Sequence, residues 1–360
     1  KKKKYKSKLK YYKMSNVYTK INVRSPYILT QAGSSAGQTV KLDLYLHNGG
    51  VSEPASATYS LSKKTVAANL LNVHFDISPY LKSYITHTTL TPVTGLTATA
   101  GSMFCYCKAI LTLAGVAQTP VYFIGYDGFG YFEDGANPVL DAHIMLDEGE
   151  YYLLKDENYG ALFYSIDSDV SPAQDWDAKY ICLDGTTADV DIDLNTQDNG
   201  HIPYIPPTHK GNGSTLKIFK DSSLYKTFTF TEVCEPKYTP VICDFINRFG
   251  AWQTIVFFKV SKSKINTSSS KFKMMPSSVN YNTSKNITQV FNVNGQESIT
   301  VNTGFVREGY GDVLKQLLLS EIIRLDNRPV NVNTKSLNIQ KSINDRLINY
   351  TLNFNTLTLL

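Results

Sequence analysis

No run of about 18 apolar residues exists in the chain, so no transmembrane helix is expected from it. No apolar core follows the lysines at the start either, and a secretory signal is not expected. Cysteine is scarce and odd in number. Cys105, Cys107, Cys182, Cys234 and Cys243 follow no disulfide spacing, which predicts thiols buried as small hydrophobes in a protein that folds in a reducing compartment. Cys105 and Cys107 would share one face of a strand, yet no Cys/His pair stands at ligand spacing beside them. The six histidines, His47, His74, His87, His143, His201 and His209, are scattered, and H-E-x-x-H, G-x-S-x-G and P-loop patterns are all missing. These absences argue against an enzyme and imply no metal and no cofactor.

Acidic residues are missing from residues 1–13, which carry eight lysines. The remainder holds 28 basic and 31 acidic residues, a net of −3, so the formal +5 of the whole chain does not indicate a nucleic-acid surface. The basic block itself cannot bury surface. It reads either as an arm gripping nucleic acid or an acidic neighbour, or as a solvated extension.

What is present points to β structure. Tyrosine (24) and phenylalanine (17) are abundant, and 42% hydrophobic content over 360 residues fills two or three cores. Val40, Leu42, Leu44 and Leu46 alternate with Lys41, Asp43 and Tyr45, the pattern of a half-buried strand. Further short strands recur with Gly, Pro and Ser between them, which predicts a mainly β chain of serial Ig-like β-sandwich modules followed by a C-terminal β-rich module with one α-helix. The expected divisions are a basic arm (1–13), a β-sandwich module (14–141), a second β module (142–213) and an oligomerising β-rich module (214–360) with its helix at 310–322. The linker before 214 is read from Pro203, Pro206, Pro207 and the run Gly211-Asn212-Gly213-Ser214. In the helix, Val313, Leu314, Leu317 and Leu318 make one apolar stripe.

Residues 238–260 give the strongest local signal, two apolar arms flanking Asn247-Arg248-Phe249-Gly250, hence a β-hairpin. Phe245, Trp252, Ile255, Phe257 and Phe258 leave neither face fit for water, so one side packs on its own module and the other on a neighbouring module or a second copy. Phe245, Trp252, Phe257, Leu317 and Leu318 are the expected oligomer contacts. Residues 261–294, rich in Ser, Asn, Lys and Thr, read as a long loop or arm touching a neighbouring subunit. Asp189, Asp191 and Asp193 would line one strand face; a solvated face suits them better than a calcium site, which draws its oxygens from a curved loop. The run Tyr126-Asp127-Gly128-Phe129-Gly130-Tyr131-Phe132 lacks a third glycine and a following helix, and reads as a turn exposing aromatics.

The run Cys234-Glu235-Pro236-Lys237-Tyr238 leading into Phe245-Ile246-Asn247-Arg248-Phe249-Gly250-Ala251-Trp252-Gln253 resembles structural proteins of tailed bacteriophages that infect Bacteroidetes, the crAss-like phages included. So do Glu297-Ser298-Ile299-Thr300-Val301-Asn302-Thr303-Gly304, the stretch 310–321 and the tail 329–354. Arg24-Ser25-Pro26-Tyr27, Phe75-Asp76-Ile77-Ser78-Pro79-Tyr80 and Asp127-Gly128-Phe129-Gly130-Tyr131 are similar to the same group. The resemblance implies a non-enzymatic virion subunit of the tail, neck or baseplate, assembled in the host cytoplasm. It would form a homo-oligomeric ring beside other phage structural proteins, without a membrane partner and without nucleic acid. A receptor- or carbohydrate-binding virion protein is the alternative, with Phe129, Tyr131 and Phe132 as its exposed tip.

Overall fold

A computed structural model describes residues 18–66, 71–140, 143–155, 160–166, 175–191, 199–233, 237–275, 279, 282–284, 286–339 and 348–359. The basic block 1–13, Cys234-Glu235-Pro236 and Asp193 lie outside the described residues. The described chain is mainly β, in separate sheets, with one helix of more than five residues.

The alternating strand forms as Thr39–Asn48, with Val40, Leu42, Leu44 and Leu46 all buried. It lies in a six-stranded sheet between Tyr59–Lys64 and Phe104–Leu113, followed by Val121–Tyr126 and a parallel edge, Thr19–Asn22. A two-stranded sheet of Ile28–Ala32 and Asn72–Asp76, with the short helix Ser78–Lys82, closes over its inner face. Val73, Phe75, Ile77 and Leu81 meet Leu42, Leu44, Cys105 and Cys107 there, one sandwich core. Both thiols are buried, and desolvation pushes Cys105 up to about 12, which makes them packing groups rather than nucleophiles.

The division expected at 213/214 does not separate two sheets. A five-stranded sheet takes Gly149–Leu154, Trp176–Cys182 and Thr187–Asp191 from before it and Ser214–Lys220 and Ser223–Val233 from after it. Proline and glycine mark a turn at this point, but Ser214 pairs straight back onto Cys182. A three-stranded sheet likewise joins Thr97–Ala98 to Asn199–Pro203 and Ala161–Ser165.

The hairpin forms as expected, Val241–Ile246 paired with Trp252–Phe257. It continues through Ile323–Leu325, Arg328–Val332, Thr351–Leu359 and Thr288–Asn302 to the far edge, Lys262–Lys273, a sheet of seven strands. Asp326 and Asn327 both take positive φ (46° and 65°), the backbone of a two-residue turn whose twist suits a hairpin. The C-terminal helix is Tyr310–Leu318, four residues shorter than expected. Ser320 and Glu321 break the stripe, and the strand Ile323–Leu325 follows.

Candidate functional site

Four of the five residues expected at an oligomer interface face inward. Phe245 and Phe257 are 0% exposed, Trp252 is 2% and Leu317 is 0% exposed, so none has surface to offer a second copy. Leu318 is half-buried against the same core. The partner needed by the second face of the hairpin is this chain itself. Phe245, Ile255 and Phe257 pack with residues of the five-stranded sheet and the helix, while Ile246 and Trp252 pack with Val93, Met103, Phe104 and Tyr126. Trp252 Nε1 donates to the Thr88 carbonyl at 2.9 Å.

The connection between the arms is buried as well. Asn247 is 0% exposed; its Oδ1 accepts from the Phe249 and Ala251 amides at 3.0 and 3.2 Å, and its Nδ2 donates to the Met145 carbonyl at 2.8 Å. The glycine-punctuated run docks on this turn, and only part of it exposes an aromatic. A Cβ on Gly128 would sit 2.3 Å from the Arg248 carbonyl oxygen, and the Phe129 amide donates to that oxygen at 2.8 Å. Of the three tip aromatics, Phe129 lies beneath Arg24 at 4.9 Å and Tyr131 beneath Lys315 at 4.1 Å; Phe132 alone projects, 97% exposed.

Where turn, five-stranded sheet and helix meet, a cleft of about 730 Å³ opens. Tyr131, Tyr152, Asp147, Glu148, Glu150, Arg248, Asp312 and Lys315 are among the residues around it. Arg248 Nη2 lies 3.1 Å from Asp147 Oδ1, and Gln316 Nε2 donates to Asp147 Oδ2 at 2.7 Å. Arg307 Nε lies 2.6 Å from Glu150 Oε2. Asp147 and Glu150 are therefore each ion-paired to an arginine at the cleft. Below them Lys226 donates to the Ile144 and Leu146 carbonyls at 3.1 and 2.9 Å, and burial holds its pKa below the ordinary lysine value. Sequence inspection missed this cleft, since its members come from five separated stretches with no motif between them.

The second candidate is the segment expected to be a loop. Lys262–Lys273 and Thr288–Asn302 instead form a long antiparallel ribbon. All twelve residues of the outer strand are exposed. The register slips between Ser269 and Ser270, and the extra residue, Asn292, takes φ 51°. The inner strand pairs with Thr351–Leu359 only from Gln296 onward, so the outer part of the ribbon stands as two strands alone. Ile265, Phe272, Val290, Phe291 and Val293 are 44–61% exposed on it. The Ser/Asn-rich composition hid this strand pair.

No family model matches the chain. No characterised protein in the curated comparison matches it. Among solved structures it is similar to the periplasmic chaperone SfaE at 9% identity, over 61% of this chain and 97% of that one, with a TM-score of 0.17. At that score the likeness bears on neither topology nor function.

Proposed function

We propose that the chain is a non-enzymatic structural subunit of a tailed-phage virion that self-associates into a ring through its C-terminal β-rich part. The observation that carries the assembly is the ribbon. A twelve-residue edge strand with every residue exposed, in a ribbon that also exposes Ile265, Phe272, Val290, Phe291 and Val293, offers main-chain groups and apolar surface that another chain can cover. The virion assignment rests on the sequence resemblance of the hairpin, the stretch 297–304 and the tail. The contacts are assigned to the ribbon, since Phe245, Trp252, Phe257 and Leu317 are spent on the chain's own cores. Native mass spectrometry of the purified full chain tests the assembly: a defined oligomer is expected, and a monomer at every concentration refutes it. Detection of the chain in purified particles tests the virion assignment.

Carbohydrate binding is the second reading, favoured by Tyr131 and Tyr152 standing beside the ion-paired carboxylates of the cleft. Binding of a host surface polysaccharide that Tyr152→Ala abolishes would support it.

A further inference from the structure

The seven-stranded sheet curls until its two edges approach. Phe257 closes one edge strand and Lys262 opens the other, with residues 258–261 between them. Five steps of chain span at most about 18 Å, against about 29 Å across seven flat strands. The rings of Phe257 and Phe354, on strands well separated in the sheet order, meet at 6.2 Å inside the curl. In the gap between the edges lies a hollow of about 520 Å³, and its charged members are Lys237, Lys259 and Lys262, with no acidic member. Among the described residues no carboxylate is ion-paired with any of the three. Rings hold two of them instead: Lys259 Nζ stands 4.6 Å from the Phe305 ring centre and Lys237 Nζ 5.6 Å from that of Tyr238. In a chain that is net negative beyond residue 13, three unmatched ammonium groups around one hollow attract an anionic group.

The hollow opens at the end of a polar sheet face. Strand alternation puts Ser298, Thr300 and Asn302 on that face with their cross-strand neighbours Asn355, Asn353 and Thr351, while Val301, Leu352 and Phe354 are buried on the other. Lys262 and Lys264 stand opposite Thr300 and Ser298 and border the same face. Asn302 Nδ2 donates to Thr351 Oγ1 at 2.8 Å, and the Thr300 hydroxyl donates to Asn353 Oδ1. These rungs hold amides and hydroxyls in place across the strands, and Asn353 Nδ2 has no acceptor among the described residues. Fixed groups that both donate and accept suit a ligand rich in hydroxyls. The six positions carry no aromatic, arginine or large apolar side chain, so stacked bases and apolar partners find nothing to hold there.

We propose that this hollow and the polar face leading from it bind an acidic polysaccharide. A carboxylate or sulfate of the ligand sits among Lys237, Lys259 and Lys262, where charge-assisted hydrogen bonds hold it. Hydroxyls of the adjoining sugars bond the Thr300–Asn353 and Asn302–Thr351 rungs. Charge thus supplies the attraction, and the amide and hydroxyl rungs separate a polysaccharide from other polyanions. The site is distinct from the cleft beside Tyr131 and Tyr152, and it depends neither on binding there nor on the assembly.

Calorimetric titration of the full chain with polygalacturonate, dextran sulfate, uncharged dextran and a thymidine oligonucleotide tests the site. At least one of the two acidic polysaccharides should bind, which also tells carboxylate from sulfate, and its affinity should fall as salt rises. Dextran should not bind. The oligonucleotide should bind at least about tenfold more weakly, because it brings charge without hydroxyls for the rungs. Lys259→Gln with Lys262→Gln should weaken polysaccharide binding at least about tenfold, the loss of one charge-assisted hydrogen bond, and Asn353→Ala about threefold or more. All three positions are exposed, so these variants should melt with the unaltered chain. No binding to either acidic polysaccharide, an oligonucleotide bound equally well, or binding that the lysine variant leaves intact overturns the proposal. Binding lost on Tyr152→Ala but kept by the lysine variant assigns the polysaccharide to the cleft, which overturns this site and leaves the cleft reading standing.

Discussion

Two buried polar residues set expectations at the scale of single side chains. Asn247 satisfies two amides and one carbonyl inside the hairpin turn. Asn247→Ala would leave those groups buried and unpaired, and a loss of about 2–4 kcal/mol in unfolding free energy is expected from denaturant titration. Asn247→Asp keeps the acceptor for both amides but loses the donor to the Met145 carbonyl, and should fall between. His201 stacks near Phe163, ring centroids 4.9 Å apart, and its Nδ1 has no hydrogen-bond partner among the described residues. Burial pushes its pKa down to about 4, against about 6.5 for an open chain. The unfolded chain thus binds the extra proton first. This contribution to stability is whole above pH 6.5 and is lost as pH falls toward 4. In a thermal series across that range, His201→Gln should flatten the decline; an unchanged slope would assign it to the carboxylates.

Among elements, the ribbon is the one part whose removal should leave the fold alone. Its outer end shares no core, so replacing residues 267–295 with a two-residue Asn-Gly turn keeps every pairing to Thr351–Leu359. Stability should change by less than about 1 kcal/mol, while self-association is lost. Equal association of the shortened chain would move the subunit contact elsewhere. This element also shows where sequence reading stops. Thr39–Asn48, Phe104–Leu113 and the hairpin were legible, since each buries one face or both and burial forces an apolar pattern. Lys262–Lys273 buries nothing, so its serines and lysines leave only hydrogen bonding to hold it, and composition alone reads as a loop. The helix end failed for a related reason, because Leu319 and Ile322 continue an apolar sequence that belongs to two elements. The cleft was illegible since Asp147, Glu150, Arg248 and Gln316 meet only after the sheets are assembled.

At the scale of the whole molecule, the cores are joined through the hairpin, which argues against independent modules. Phe245, Ile255 and Phe257 belong to the cluster that runs from Ile144 to Phe354, and Ile246 and Trp252 belong to the one that reaches back to Val93, Met103 and Phe104. A charged residue at position 252 would therefore disturb the packing of the first sandwich along with the C-terminal sheet. The two tryptophans report on the two clusters separately, Trp176 buried in the first and Trp252 in the second. In a Trp176→Phe chain the remaining fluorescence follows Trp252; in a Trp252→Phe chain it follows Trp176. Both strands of the hairpin serve both clusters, so neither can lose its packing while the hairpin holds for the other. Equilibrium denaturation should give coincident midpoints for the two probes, after correction for the stability each substitution costs. Separate midpoints, with the Trp176 signal lost while the Trp252 signal holds or the reverse, would show that the clusters unfold as modules and that the hairpin does not couple them.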